Sequence, residues 1–537
     1  MDQKNIVVIG GGHNGLVAAA YLAKAGHNVT VLESRRVVGG AASTDTTTFP
    51  GYKISTASYL NSLFLPEVIA DLELERFGYE MLPREPSSFT PLPCGTKSLL
   101  MGSDMEYNQM QIEQFSAHDA VAYQRYEHEL GEIAAWMSQM MTMTPPNIPP
   151  RNMRDVKNIL KVARHGLRLT PVQMYRMGKL LLSDPVEYLN EWFESDVLKA
   201  TLLTDALIGA TALNGYVLLH HVMGEAGSAR GVWGYMRGGM GGISEALAKA
   251  CTEFGAEVIL NAEADRIIAR NGRVIAVLAM AKDLEGRHAP MWKYVYADIV
   301  ISAVDPTITF AKLLRSSHLV DGVRKKVVAR DTKSASMKIN LTLSGLPDFR
   351  AKPGVTPGPQ HKGTVHIAPS VAHILDALED LKKGCPSSRP ILELTIPSVV
   401  DDTLAPPGCH VMNIFLQFVP YKHPFGDWQK EKDGYFQNVV LPLLREYITN
   451  IDAIVTGVQI FTPEDIEREF GMVGGNIFSG GMGLSQLFSG RPIRGMADYR
   501  TPIKGLYLSG AGTHPGGGVT GACGYNAARE VLADIGL

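Results

Sequence analysis

Cysteine is scarce in this chain, and its placement excludes several chemistries. Cys94, Cys251, Cys385, Cys409 and Cys523 are the only five among 537 residues. No two stand as C-x-x-C, and the count is odd. A disulfide framework, a zinc ribbon and a dithiol redox centre have no support, and no other metal site is expected. Long apolar runs are also missing, so no segment is expected to cross a bilayer. The first motif begins at Asn5, which leaves no room for a secretory signal, and a cytoplasmic protein is expected. Charge of one sign is lacking too. The chain sets 51 Lys plus Arg against 54 Asp plus Glu, a net charge of −3. A general nucleic-acid binder is not expected from that balance. Neither a Ser/His/Asp arrangement nor H-E-x-x-H is evident, so hydrolase chemistry is unsupported.

What is present is ordinary for a soluble globular protein, with 45% apolar and 20% charged residues. The length predicts more than one domain. "NIVVIGGGHNGLVAAAYLAKAGHNVTVLES", Asn5 to Ser34, carries the strongest signal. Ile6 to Ile9 reads as a buried parallel strand, Leu16 to Ala25 as a helix closed by Gly26, and Val29 to Leu32 as a second strand. Gly10, Gly12 and Gly15 form G-x-G-x-x-G between strand and helix. Gly10 permits the tight turn, Gly12 lets a pyrophosphate reach the backbone, and Gly15 lets the helix pack close. The helix N-terminus turns its free N–H groups and positive dipole end to the phosphates. Glu33, at the end of the second strand, is placed to accept from a ribose hydroxyl. The offsets together predict dinucleotide binding.

A second Gly pair, Gly39-Gly40, follows in "ESRRVVGGAAS". The pattern resembles flavoprotein oxidases and desaturases, in which an acid, basic residues and a Gly pair wrap FAD. Arg35 and Arg36 are the basic residues here, with a solvated turn as the plainer reading. Ala41 stands where those proteins often carry Arg. Further on come a glycine cluster at Gly238 to Gly242, a helix Ile243 to Glu253, a strand Glu257 to Leu260, a hairpin-like pair, and a buried strand in "YADIVISAVDP". The last strand, Gly505 to Leu508, runs into "GAGTHPGGGVTGACG".

These pieces resemble the phytoene desaturase-like branch of FAD-dependent oxidoreductases, closest to the pyridine nucleotide-disulfide oxidoreductase domain-containing protein 2 family. The matching stretches are "HHVMGEAGSARGVWGYMRGGMGGIS", "TIPSVVDDTLAPPGCHVMNIFLQFVPY", "GGNIFSGGMGLSQLFSGRP" and "YRTPIKGLYLSGAGTHPGGGVTGACG". The resemblance implies an α/β fold, a Rossmann-like FAD-binding domain (1–56, 222–311 and 501–537) with a discontinuous α+β substrate domain (57–221 and 312–500). It implies FAD held from both chain ends. The contacting residues are Gly10, Gly12, His13, Asn14, Gly15, Glu33, Ser34, Arg35, Gly40, Ala41 and Ala264, joined by Gly510, Gly512, Thr513, Gly518 and Val519. The helix near Thr520 would turn its positive end to the flavin. Ser479 and Gly481 replace a His and a Glu common in the family.

The implied activity is dehydrogenation or isomerisation of a lipophilic, unsaturated small-molecule substrate by hydride transfer to flavin. Two alternatives stand beside it: an oxygen-dependent amine or alcohol oxidase, and a flavin-binding regulatory protein with a degenerate pocket. The single complete Rossmann motif and the missing C-x-x-C speak against a nicotinamide-dependent disulfide reductase. The catalytic candidate is His514, with a turn-stabilising role as its rival. His220 and His221 read as a core pair, and Arg237 as a phosphate, substrate or surface residue. Finally, "RNMRDVKNILKVARHGLRLTP" joins a stripe of Met153, Val156, Leu160, Ala163 and Leu167 to Arg151, Arg154, Lys157, Lys161, Arg164 and Arg168. This helix, at 151–170, is either a lid or face meeting an anionic membrane surface, or a solvated helix whose stripe packs on the protein. Met137, Met140, Met141 and Met143 precede it as a candidate apolar lid.

Overall fold

The computed structural model describes the chain apart from residues 1, 94, 227–228, 231–232, 282–290, 316, 318–319, 334 and 537. Cys94 thus lies outside the described residues, as does part of the stretch from His220 to Ser244. The strand Asn5–Ile9 is apolar at every position after Asn5 and needs cover on both faces. It lies in the middle of a five-stranded parallel sheet, in the order Glu257–Ile259, Asn28–Leu32, Asn5–Ile9, Ile299–Ser302, Leu506–Leu508. Ile6 and Val8 pack beneath the helices His13–Lys24, Gly241–Glu253 and Ala522–Asp534. Val7 and Ile9 face the other way, onto a three-stranded antiparallel sheet of Ala262–Arg270, Arg273–Ala281 and Met291–Tyr296. The chain leaves Asn5–Ile9 to one side and later adds Ile299–Ser302 on the other. That reversal opens a crevice at the carboxyl ends of the two strands.

The two ends of the chain meet at this point. A Cβ on Gly524 would lie 2.1 Å from the Asn14 carbonyl oxygen, so only glycine lets the last helix pack against the first. The Gly524 N–H donates to Asn14 Oδ1 at 3.3 Å. The glycine cluster at Gly238 is preceded by a short strand, Gly234–Met236. That strand pairs antiparallel with Met81–Pro83 and lies outside the parallel sheet, so the cluster has no second dinucleotide fold behind it.

A second, seven-stranded sheet has the order Val455–Phe461, Ser336–Leu343, His410–Gln417, Leu392–Thr395, Thr364–Ile367, Ser88–Pro91, Ser98–Met101. Met337, Ile339, Leu341, Ile414 and Leu416 cover one face and pack with the helical segments Trp428–Tyr435 and Leu441–Tyr447. The opposite face carries Lys338, Asn340, His366, Glu393, Thr395, Asn413 and Gln417, all buried. A helical layer with its own core includes Ala117–Met141, Asp196–Leu203 and Gly215–Val222. Hydrogen bonds between Thr201 and Thr90 and between Thr204 and His366 tie it to the polar face.

The basic segment forms one helix, Met153–Gly166, and Pro171 begins another, Pro171–Leu182. Its apolar stripe does not pack inward. Met153 is 70%, Leu160 65% and Leu167 85% exposed. The two fully buried residues of the helix are polar, Asp155 and His165, while Val156, Ile159 and Val162 are half-buried. The Asp155 carboxylate accepts from the Asn147 and Arg151 N–H groups, and His165 stacks on Trp136 at 4.6 Å.

Candidate cofactor and substrate site

At the carboxyl end of Asn5–Ile9 the backbone turns at Gly10, whose φ of +99° favours glycine. A Cβ on Gly15 would sit 2.1 Å from the Gly10 carbonyl oxygen, which closes the helix onto the turn. Gly12 differs. Its φ of −69° suits any residue, and a Cβ there would meet nothing within 4 Å. The space in front of it is a cleft of 620 Å³. Gly12 is also the N-cap of His13–Lys24 and has no capping side chain, so the first N–H groups of that helix lack the usual side-chain cap. The buried Glu33 carboxylate accepts from the Gly11 N–H at 2.7 Å and the Arg35 N–H at 2.8 Å, which fixes it at the cleft edge.

Every residue expected from the N-terminal half lines this cleft: Gly10, Gly12, His13, Asn14, Gly15, Glu33, Ser34, Arg35, Gly40, Ala41 and Ala264. Arg35 reaches the Gly40 carbonyl at 2.8 Å, whereas Arg36 is exposed, bonds Thr47 and lies outside the lining. Asp305 is a lining residue that motif reading missed. Its Oδ1 pairs with Arg330 at 2.9 Å, while its buried Oδ2 has no partner. A bare backbone cradle at a helix N-terminus, a fixed acid and an orphaned carboxylate oxygen together fit a dinucleotide with ribose or ribityl hydroxyls.

The C-terminal turn divides differently from expectation. Gly518 and Val519 line a second, inner cavity of 170 Å³. Gly510, Gly512 and Thr513 line neither space. Cβ atoms on the two glycines would lie 2.5 Å from the Ala303 carbonyl oxygen and 2.3 Å from Pro306 Cδ, and the Thr513 hydroxyl donates back to Gly510. Their glycines serve packing, and Ala511 between them is the residue that reaches both cleft and cavity. His514 also points elsewhere. Its Nε2 bonds the Met140 carbonyl at 2.9 Å, burial lowers its pKa to about 4, and it lines neither space. It is the turn-stabilising histidine, closing the last turn of Ala117–Met141. Arg237 is a surface residue, paired with Glu80 at 2.6 Å.

The cleft and the inner cavity meet at His13, Ala41, Met472 and Ala511. Tyr59, Leu63, Ile208, Trp233, Phe415, Ile477 and Phe478 make the cavity walls largely apolar. His220 and His221 reach this wall as well as the core. His220 Nε2 bonds the Gly517 carbonyl at 3.2 Å, and His221 stacks on Trp233 at 5.4 Å. Burial lowers His13 to about 4 and His220 to about 3, so both rings are neutral near neutral pH.

Beside Ser58, Ser62 and the histidines, the polar wall includes Lys338, 1% exposed, on the buried polar face of the seven-stranded sheet. Its Nζ donates to Asn413 Oδ1 at 2.8 Å and to Asn340 Oδ1, and it lies 5.1 Å from the Tyr59 ring centre. Burial holds its pKa well below 10.5. A neutral amine has two N–H donors, both used by the asparagines, and keeps a lone pair free. Strand alternation hid this residue, because a polar face ordinarily reads as a solvated one.

A family model described as an NAD(P)-binding Rossmann-like domain matches residues 8–66. A relative in Rattus norvegicus, the pyridine nucleotide-disulfide oxidoreductase domain-containing protein 2, is 41% identical over 99% of this chain and 94% of its own length. The chain belongs to that family. A limonene dehydrogenase polypeptide of Castellaniella defragrans is 28% identical, covering 100% of this chain and 96% of its own. A lycopene-forming phytoene desaturase of Pseudescherichia vulneris is also 28% identical, covering 97% and 96%. The fold is shared with an engineered putrescine oxidase at a TM-score of 0.59 and 16% identity, over 99% of both chains. The cofactor is FAD. Among the described residues no two cysteines form a disulfide. Cys251, Cys385, Cys409 and Cys523 are free, and burial raises the Cys251 thiol to about 12.

Proposed function

We propose that this protein is an FAD-dependent dehydrogenase, or isomerase, of a lipophilic unsaturated substrate. The observation that carries the reading is the apolar inner cavity, which joins the dinucleotide cleft at His13, Ala41, Met472 and Ala511. Relatives named for limonene and phytoene support a hydrocarbon class. We further propose the domain division given above, with the parallel sheet holding cofactor and the seven-stranded sheet flooring the substrate space.

FAD, when bound, supplies the hydride acceptor. The chain's own residues do the rest. Tyr59, Phe415, Ile477 and Phe478 exclude water and hold the reacting carbon against the junction. Lys338 accepts the proton on its free lone pair, and the two asparagine carbonyls stabilise the ammonium that forms. At 170 Å³ the cavity is smaller than the roughly 300–1,000 Å³ of drug-sized sites, which suits a compact terpenoid or the reacting segment of a longer chain.

The amine oxidase alternative fits less well. Tyr59 and Phe415 are tilted by 38° and do not form a parallel pair, and the Lys338 Nζ already covers the Tyr59 ring that would receive an ammonium. Anaerobic titration of the holoprotein tests the reading. Limonene or a related terpenoid should bleach the flavin and putrescine should not. Bleaching by the amine alone would reject it.

A further inference from the structure

We propose that the helices Met153–Gly166 and Pro171–Leu182 form a docking face for an anionic lipid bilayer, beside a cleft through which a lipophilic substrate enters. The bilayer contact stands on its own; only the entry route rests on the proposed substrate class. The first helix turns Met153, Leu160 and Leu167 outward at a spacing of seven, on one line along its surface. Lys157, Lys161, Arg164 and Arg168 flank that line and are exposed. Among the described residues, Lys157, Lys161 and Arg164 have no carboxylate partner. Arg154 is excluded from the face, because it pairs with Asp534 at 2.8 Å. The second helix carries Val172, Tyr175 and Leu182 along one side, each exposed.

A solvated helix would normally bury such a stripe. Here the inward contacts are the Asp155 hydrogen bonds and the His165–Trp136 stack, which hold the helix with its apolar line outward. Large apolar side chains interleaved with unpaired cations match one environment well. In a bilayer interface the apolar groups enter the acyl boundary while the cations stay at the level of anionic headgroups. A nucleic acid would satisfy the cations alone.

A cleft of 540 Å³ opens beside this face, with Lys161, Met141, Met143 and Phe64 among its walls. Its wall also includes Leu63, which lines the inner cavity next to Gly518 as well. Leu63 is thus a wall shared by the cleft beside this face and the inner cavity.

Vesicle flotation with the FAD-loaded protein tests the docking face without any substrate. Binding to phosphatidylcholine vesicles containing phosphatidylglycerol should exceed binding to pure phosphatidylcholine at least tenfold at low salt, and should fall as salt rises. The triple variant Lys157→Glu, Lys161→Glu, Arg164→Glu should lower it on the order of a hundredfold. Leu160→Ser with Leu167→Ser should lower it while leaving FAD content and the thermal melt unchanged. Wild-type protein that stays with the neutral fraction at low salt would overturn the proposal. So would binding unaffected by both variants, or self-association through this face without vesicle binding. Failure of limonene to reduce the flavin would reject the substrate reading and leave the vesicle result intact.

Discussion

Replacing Gly12 with valine separates cofactor binding from folding more cleanly than any other change in the first motif. The backbone there, at φ −69° and ψ 163°, is one that valine readily adopts. The new Cβ would meet no protein atom within 4 Å. The apo fold should therefore be nearly unaffected. The side chain would instead enter the cleft where a pyrophosphate must approach the helix N-terminus. Losing two hydrogen bonds to a charged group, at roughly 1.5–3 kcal/mol each, costs roughly 3–6 kcal/mol. That is a loss of affinity on the order of 10²–10⁴. Gly15→Ala is the contrasting change, since its Cβ would lie 2.1 Å from the Gly10 carbonyl oxygen and 2.9 Å from Ala303 Cβ. FAD released on denaturation and the apo thermal melt read the two effects. Gly12→Val should lose FAD and keep the melt, whereas Gly15→Ala should lower both. Wild-type FAD content in Gly12→Val would refute the assignment of this turn.

Lys338→Met should slow flavin reduction by substrate about 10²–10⁴-fold, the range for general-base loss, while chemical reduction by dithionite proceeds normally; equal slowing of both would point to a structural role. The same variant has a pH signature. The folded-state pKa of Lys338 lies below the ordinary 10.5, so between the two values the unfolded chain binds more protons and stability rises with pH. Urea unfolding followed upward toward pH 10.5 should show a flatter rise in Lys338→Met than in wild type, and identical slopes would contradict it. Arg491, buried and with no carboxylate ion pair among the described residues, donates to the carbonyls of Phe478, Gly481, Ala511 and Thr513. Arg491→Met orphans several of these and should cost roughly 3 kcal/mol or more in urea unfolding, with loss of FAD; unchanged values would remove it as the clamp on the C-terminal turn. Disulfide reduction driven by NADPH should be absent in a dithionitrobenzoate assay, and measurable turnover would overturn the reading of the free cysteines.

The sequence makes the cofactor half legible because its signals are local. Strand, glycine turn, helix and acid lie within thirty residues; Gly10 and Gly15 answer backbone needs, and Gly12 leaves space for the ligand. The helix starts at His13 rather than Leu16, since Gly12 already serves as its cap. The substrate half is hidden by distance. Ser88 pairs with Thr364 and Ser336 with Gln417, contacts that no local periodicity reports. Alternation misleads where a buried cavity replaces solvent, as at Lys338 and Asn340. Amphipathicity misleads where polar anchors hold the apolar stripe outward, as at Asp155 and His165. In the C-terminal turn, glycine content signals close approach without saying to what. At Gly510 and Gly512 the neighbour is protein, and Ala511 reaches the cleft.

The most direct measurement of the central claim is an experimental structure of the purified holoprotein. FAD should lie with its pyrophosphate over Gly12, a ribose hydroxyl at Glu33, and its ring at the junction of His13, Ala41, Met472 and Ala511, facing Lys338 across the inner cavity. A nicotinamide dinucleotide in that cleft, or a flavin ring turned away from the Lys338 cavity, would contradict it.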